Sequence, residues 1–418
     1  MTHEKRLGLA MILVAAIAVL GLRPAEASTA STGHSALYAA TTTPTAAGQL
    51  LLGWGNNGQG ELGNGRTASS DTPVRVKLPR HTAVNQATAG CSHSLAVTTT
   101  GQVLAWGFNS NGQLGDGSTK GSRTPVKVRL PRSTTVTAAR AGCEFSLALT
   151  SAGRLLAWGF NGDGELGDGS TKGSRMPVKV KLPKNTRVKA FSAGCFHALA
   201  LTTTGEVLAW GSNADGQLGD GTTTSADRPV KVKLPSHVTV KAVSAGCYHS
   251  LALGTKGQIV AWGNNSDGQL GNGTTTGSDL PLVISFEITH LVGRITQLSA
   301  GYYDSLALTS SGAVLAWGDN GNGQLGNGNT TSYPAPQRVK LPSHTKVRAI
   351  KPGGSYNMVL TTTGRILAWG LDADGELGDG KTTDSDLPVT VHLPSGMSAI
   401  NIYAGSSASQ SFASVRRS

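Results

Sequence analysis

The dodecapeptide WGFNSNGQLGDG, residues 106–117, decides how this chain folds, because it recurs six more times with small variation. The other copies are WGNNGQGELGNG from Trp54, WGFNGDGELGDG from Trp158, WGSNADGQLGDG from Trp210, WGNNSDGQLGNG from Trp262, WGDNGNGQLGNG from Trp317 and WGLDADGELGDG from Trp369. Successive tryptophans stand 52 residues apart, except between Trp262 and Trp317, where the step is 55. A fixed period of this length predicts tandem supersecondary units, each too small to bury its own apolar surface and therefore stacked on its neighbours.

Within a unit the pattern is that of short strands. Ser94 to Val97 alternates in character, a Thr-Thr-Gly turn ends at Gly101, and Gln102 to Trp106 follows, which reads as a hairpin. The glycine-rich phrase is a structured loop whose glycines reach backbone angles closed to other residues and whose leucine plugs the core. A third strand from Pro125 to Pro131 alternates valines with cations, and a fourth runs through Val136 towards Ala141 and Gly142. Four antiparallel strands without helical periodicity favour radial stacking, so the expected fold is all-β: a seven-bladed propeller of four-stranded blades. The stretch from Thr41 to Leu51 reads as the hairpin half of a unit, and the end at Ala404-Gly405-Ser406 as the start of another. Pairing of the N- and C-terminal strands is expected to close the ring and hide its sheet edges.

The beginning of the chain reads differently. Lys5 and Arg6 precede an apolar run from Leu7 to Leu22, and Ala25-Glu26-Ala27 has the small residues of a signal-peptidase site. The expected organisation is a signal peptide over 1–27, a flexible segment over 28–40 and the propeller over 41–418. The protein is then secreted or associated with the cell envelope, monomeric, and without a membrane span after cleavage. Its 56 glycines fit a turn-rich β protein, and its net charge of +12 is compatible with an anionic partner. No H-x-x-x-H pair, G-x-S-x-G elbow or phosphate loop is present, so the chain is expected to be no enzyme and to carry no cofactor or metal.

The phrase W-G-x-N-x-x-G-[QE]-L-G-[DN]-G, joined to A-G-x-x-H-S-L-A-L, resembles the regulator of chromosome condensation repeat family, in a secreted bacterial-type member. The resemblance covers about residues 41 to 415 and implies a seven-bladed propeller. It also implies one alternative function, guanine-nucleotide exchange on a small GTPase, although no exchange residue maps onto this chain. The primary expectation is a secreted scaffold that captures a protein or an anionic envelope polymer on a propeller face. A further alternative, a propeller enzyme acting on carbohydrate, requires close acidic side chains at one channel mouth.

Several residues are candidates for more than architecture. Cys91, Cys143, Cys195 and Cys247 fall at one repeat position, held later by Tyr302, Ser355 and Ser406. Buried thiols, inter-blade disulfides and a metal site are the readings; thiols are expected, since equivalent Cα atoms of adjacent blades should lie near or beyond the ~7 Å disulfide limit. His93, His197 and His249 share another position, where Phe145, Asp304 and Asn357 stand elsewhere, and read as backbone-bonded structural histidines. Acidic phrases such as Asp372 to Glu376 and Asn161 to Glu165 read as turns, because the third ligand and distal glutamate of a calcium loop are missing. Arg75, Lys77, Lys127, Arg129, Lys179, Lys181, Lys231 and Lys233 alternate with valines to form a basic belt, echoed by Arg338 and Lys340. The belt reads as a solvated edge that deters strand pairing, with an anionic polymer as its alternative ligand; missing aromatic interleaving disfavours nucleic acid. Finally, the irregular stretch Ile284 to Val292, including Phe286, is expected to join Tyr302 and Tyr303 in a protein-contact face.

Overall fold

The computed structural model describes residues 49–285 and 293–417. Among these, twenty-eight strands, β1 to β28 in chain order, form seven four-stranded antiparallel sheets. In the sheet that carries Trp106 the order is β3 (Val84–Ala89), β4 (His93–Thr98), β5 (Val103–Gly107) and β6 (Ser122–Lys127), from the axis outwards. The seven innermost strands line one central channel, and each sheet packs against the next around it. The seven-bladed propeller expected from the period is the observed fold.

Two details of the sequence reading are corrected. The strand through Val136, β7 (Val136–Ala141), is the innermost strand of the following sheet rather than the fourth strand of its own. Residues 128–135 thus carry the chain from the rim of one blade to the axis of the next, whereas the short turn at 90–92 joins β3 to β4 within a sheet. The closing sheet also divides differently. β1 (Leu50–Gly55) and β2 (Ser70–Arg75) form its outer half, and β27 (Met397–Tyr403) and β28 (Gln410–Arg417) its inner half. Leu50 pairs with Val415 and Trp54 with Ser411, so the C-terminus supplies two full strands. The weak patterning of Gln410 to Val415, rich in serine, concealed the second of them. The signal peptide and flexible segment expected over 1–40, and residues 41–48, lie outside the described residues.

Packing explains the consensus. Every residue of β4 and β5 is buried, because both faces of a sheet are covered by neighbours, while β6 is half-exposed. Leu95, Val97 and Val103 of one sheet meet Val136, Ala148 and Trp158 of the next in a single apolar cluster. Each leucine or valine side chain so removed from water contributes roughly 1.5–3 kcal/mol before entropy is charged against it. All seven tryptophans are fully buried, and each indole Nε1–H donates to a carbonyl in the preceding sheet's glycine-rich loop. Trp158 reaches Gln113 at 2.8 Å, and Trp54 closes the ring on Glu376 at 2.9 Å. Gly115 has φ +65°, and a β-carbon there would sit 2.7 Å from the Trp158 Nε1, so indole contact and backbone angle both demand glycine. Asn109 holds the loop from inside: its Oδ1 accepts from Leu114 N at 2.9 Å, and its Nδ2 donates to the carbonyls of Ser118 and Lys120.

Candidate protein-contact face

Antiparallel strand order gives the propeller two unlike faces. The turns between first and second strands, such as 90–92, share one face with the glycine-rich loops. The Thr-Thr-Gly turns and the long connections between sheets occupy the other. Pairing of His93 with Gly107 marks the first face, and pairing of Val97 with Val103 the second.

At the first face the four cysteines are joined as Cys91–Cys143 and Cys195–Cys247, with Cα separations of 4.5 and 4.4 Å. This corrects the expectation of buried thiols. Blades diverge towards the rim, but their innermost turns crowd the axis and bond directly: Cys143 N donates to Cys195 O at 3.1 Å, and Gly354 N to Ala408 O at 2.8 Å. The same register places Gly354, not Ser355, at the cysteine position, and Tyr356, not Asn357, at the histidine position.

The histidines form a relay across the seams. Nε2 of His93, His197 and His249 lies 2.9, 2.8 and 2.9 Å from the hydroxyls of Ser146, Ser250 and Ser305 in the following sheet. Each hydroxyl donates to a loop carbonyl, that of Gln113, Gln217 or Gln269. The hydroxyl proton is therefore spent, and the imidazole Nε2 must carry its own. Nε2 thus meets a serine side chain, and backbone hydrogen bonding at Cys143 and Cys247 also acts on the His93 and His197 rings. Burial holds these histidines neutral, lowering His93 to about 4 and His197 and His249 to about 3. Other seams use matched substitutes: Tyr356 with Ser411 at 2.7 Å, and Asp304 with Asn357 at 2.7 Å, burial pushing the Asp304 carboxyl up to about 7. Where the position is Phe145, its partner across the seam is Ala198, and both belong to one apolar cluster.

Two of the cysteine turns and the turn after them carry an aromatic group on the same face. Tyr248 stacks on Tyr303 with ring centroids 5.3 Å apart and 15° between planes, and Tyr302 meets Tyr303 edge-on at 4.7 Å. Phe196 lies 6.0 Å from Tyr248. All four are half-buried. Burial, with Tyr248 alongside, raises the Tyr302 hydroxyl to about 12, so it stays protonated at neutral pH. Next to these rings is a depression of about 620 Å³ lined by Tyr248, Tyr303, Asn264, Ser266 and the carboxylates Asp215, Asp267 and Asp319.

Sequence reasoning named Tyr302 and Tyr303 but missed Phe196, Tyr248 and the carboxylates. The signal was there: the residue before the histidine position is aromatic in three successive repeats, Phe196, Tyr248 and Tyr303, and is Ser92, Glu144, Ser355 or Ser409 elsewhere.

The remaining candidates lie apart. Arg75, Lys77, Lys127, Arg129, Lys179, Lys181, Lys231 and Lys233 are all exposed along the outermost strands and their continuations, with the intervening valines turned inward. Lys231 pairs with Glu206 at 2.7 Å. Prolines 73, 125, 177 and 229 interrupt those outer edges, as strands with one unpaired side require. Phe286 lies outside the described residues, as do 287–292. Ile284, the last residue of its strand, pairs with Ile259 at the second face, so the described start of the irregular stretch is at the opposite end of the blades from Tyr302 and Tyr303. The channel, about 360 Å³, is lined by Arg140, Arg348 and Lys351 among neutral residues that include Gln86, Gln297 and Tyr403. Burial, then the nearby Arg140, lowers the Lys351 ammonium to about 7.

Sheet count, loop phrase and seam chemistry define a repeat propeller of one particular class. Residues 50–413 match the family model described as the RCC1-like domain, and the chain belongs to that family. It is 29% identical over 342 residues to the ultraviolet-B receptor UVR8 of Arabidopsis thaliana, spanning 82% of this chain and 77% of the receptor. It is 31% identical over 373 residues to human E3 ubiquitin-protein ligase HERC2, covering 87% of this chain and only 8% of the ligase. Among solved structures it resembles Prp20p of Saccharomyces cerevisiae, described for its binding to Gsp1p and histones, with TM-score 0.78 and 24% identity over 90% of this chain and 93% of that one. Human WBSCR16 gives the same score and identity, with 88% and 99% covered. These two likenesses establish the fold. No helix of the described residues is long and apolar enough to cross a membrane.

Proposed function

We propose that this propeller is a secreted binding scaffold whose working surface is the face bearing Phe196, Tyr248, Tyr302 and Tyr303. The observation that carries the reading is the aromatic group itself. Four rings from three adjacent turns are half-buried, held against one another and left open on one side, which is how aromatic anchors are presented to a protein partner. A rigid, ring-closed body loses little conformational freedom on docking, so contact area converts into affinity at low ordering cost. The two disulfides fit an exported protein, since such bonds persist in oxidising compartments. Protein binding also agrees with what Prp20p is described as doing.

The test compares proteins retained by the immobilised mature chain from extracellular and envelope extracts. Tyr248→Ala/Tyr303→Ala should lose the retained set, and Lys127→Ala/Lys179→Ala should keep it. The reverse pattern would move function to the basic rim and to an anionic polymer. Family membership supports a second reading, exchange on a small GTPase, measured by nucleotide release; turnover there would displace the scaffold.

A further inference from the structure

We infer that the aromatic face takes a basic segment of its protein partner, seating arginine or lysine side chains against Tyr248 and Tyr303 over the carboxylates of Asp215, Asp267 and Asp319. This rests on the reading of that face as a contact surface and adds the chemistry of what it contacts.

The three carboxylates come from three successive glycine-rich loops and converge on one depression with the two tyrosines. Neutral donors orient them: Asn264 Nδ2 to Asp215 at 2.8 Å, Ser266 Oγ to Asp267 at 2.8 Å and Gln324 Nε2 to Asp319 at 2.7 Å. Neutral donors fix direction and leave the negative charge in place. No lysine or arginine lines the depression. The described ion pairs, Lys231 with Glu206 and Lys381 with Asp379, lie elsewhere. Beyond the dominant effect of burial, Asp215 and Asp267 also raise the Tyr303 hydroxyl, which places their charge beside the ring.

Aromatic faces next to carboxylates are the complement of a guanidinium or ammonium group, which gains cation–π attraction from one and charge-assisted hydrogen bonds from the other. The surroundings sharpen the choice. The chain carries a net charge of +12, with exposed cations along its rim. An acidic partner would be drawn to that rim, whereas a basic one is disfavoured along it and favoured at this depression, which helps to hold it in register. A volume of about 620 Å³ accommodates a few side chains of an extended segment, not a folded domain.

The probe is a fluorescein-labelled nonapeptide alternating arginine and glycine, with a glutamate–glycine peptide as control, titrated into the mature chain by anisotropy at two salt concentrations. Asn111 and Asn322 occupy the equivalents of Asp215 and Asp267, and Asn56 and Asn264 that of Asp319, so asparagine is compatible with the loops. The arginine peptide should bind, more weakly at high salt. Asp215→Asn/Asp267→Asn/Asp319→Asn should lose at least tenfold in affinity at unchanged thermal midpoint. Failure of the arginine peptide to bind, or equal affinity for the triple variant, overturns the inference. If Tyr248→Ala/Tyr303→Ala loses the retained proteins while the triple asparagine variant keeps them, the contact face stands and the basic partner does not.

Discussion

Two arcs of the same ring of turns differ in what they do with one backbone position. From the Trp106 sheet to the Trp262 sheet the position is cysteine, and two bonds tie neighbouring turns together. Beyond it the position is Tyr302, then Gly354, and the aromatic group straddles the boundary: Phe196 and Tyr248 directly follow Cys195 and Cys247, whereas Tyr302 and Tyr303 stand in the first turn without a cysteine. The backbone is alike in both arcs, and only the side chains change. A repeat fold can therefore assign cohesion and contact to neighbouring positions of one turn: the Cys91–Cys143 pair serves cohesion alone, and the turns of the Cys195–Cys247 pair also present Phe196 and Tyr248.

If that assignment holds, the largest effect should come from the staple remote from the aromatic group. Cys91→Ser/Cys143→Ser removes a closed loop of 52 residues and should lower unfolding stability by about 2–4 kcal/mol in denaturant titration, with little change in peptide or protein binding. The seam between the two stapled pairs comes next. Phe145→His places an imidazole opposite Ala198, where no hydroxyl receives its proton, and should cost about 2–3 kcal/mol. Adding Ala198→Ser should recover about 1 kcal/mol or more of that loss, read as coupling in a double-mutant cycle.

A smaller effect separates the seams by pH. The folded-state value of His197 is depressed to about 3, so its contribution is present above the unfolded value near 6.5 and is lost as pH falls towards 3. Gln410 serves the equivalent position in the closing sheet, and its amide also reaches a serine hydroxyl. His197→Gln should thus flatten the acid limb of stability, gaining about 1–2 kcal/mol relative to the parent at pH 5. Asp304 has the opposite sign. Its folded value is raised to about 7, so stability is full below about 3.8 and lost as pH rises through 7. Asp304→Asn should stabilise above pH 7 and change nothing at pH 3. The smallest stability effect belongs to the aromatic group: Tyr248→Ala/Tyr303→Ala should cost about 1 kcal/mol or less per ring while abolishing partner retention.

The fold was legible because a motif repeated in register carries both its period and its reason: Trp158, Gly115 and Leu114 mean the same thing in every sheet. Strand phase was less legible, since nothing in Val136 to Ala141 says that the chain has already crossed to the next blade. The disulfides were misread because a blade-to-blade distance was assumed uniform from axis to rim, whereas the cysteine turns hydrogen-bond to each other near the axis. At the site, Tyr302 and Tyr303 stood out as adjacent tyrosines in an irregular repeat. Tyr248 did not, although it sits one place after a conspicuous cysteine, because its partner lies more than fifty residues away and only the packing of one blade on the next brings the rings together. The carboxylates were read loop by loop as turn formers, which their hydrogen bonds support, and their convergence is a property of three loops at once.

The central claim is that contact happens on one face. A photo-crosslinking residue placed at Tyr303, at Lys127 on the rim, or at Lys256 on the opposite face tests it directly, with the protein challenged by the extracellular fraction it retains. The account predicts adducts from position 303 and none from 127 or 256. Adducts from the rim or the opposite face, with position 303 silent, would contradict it.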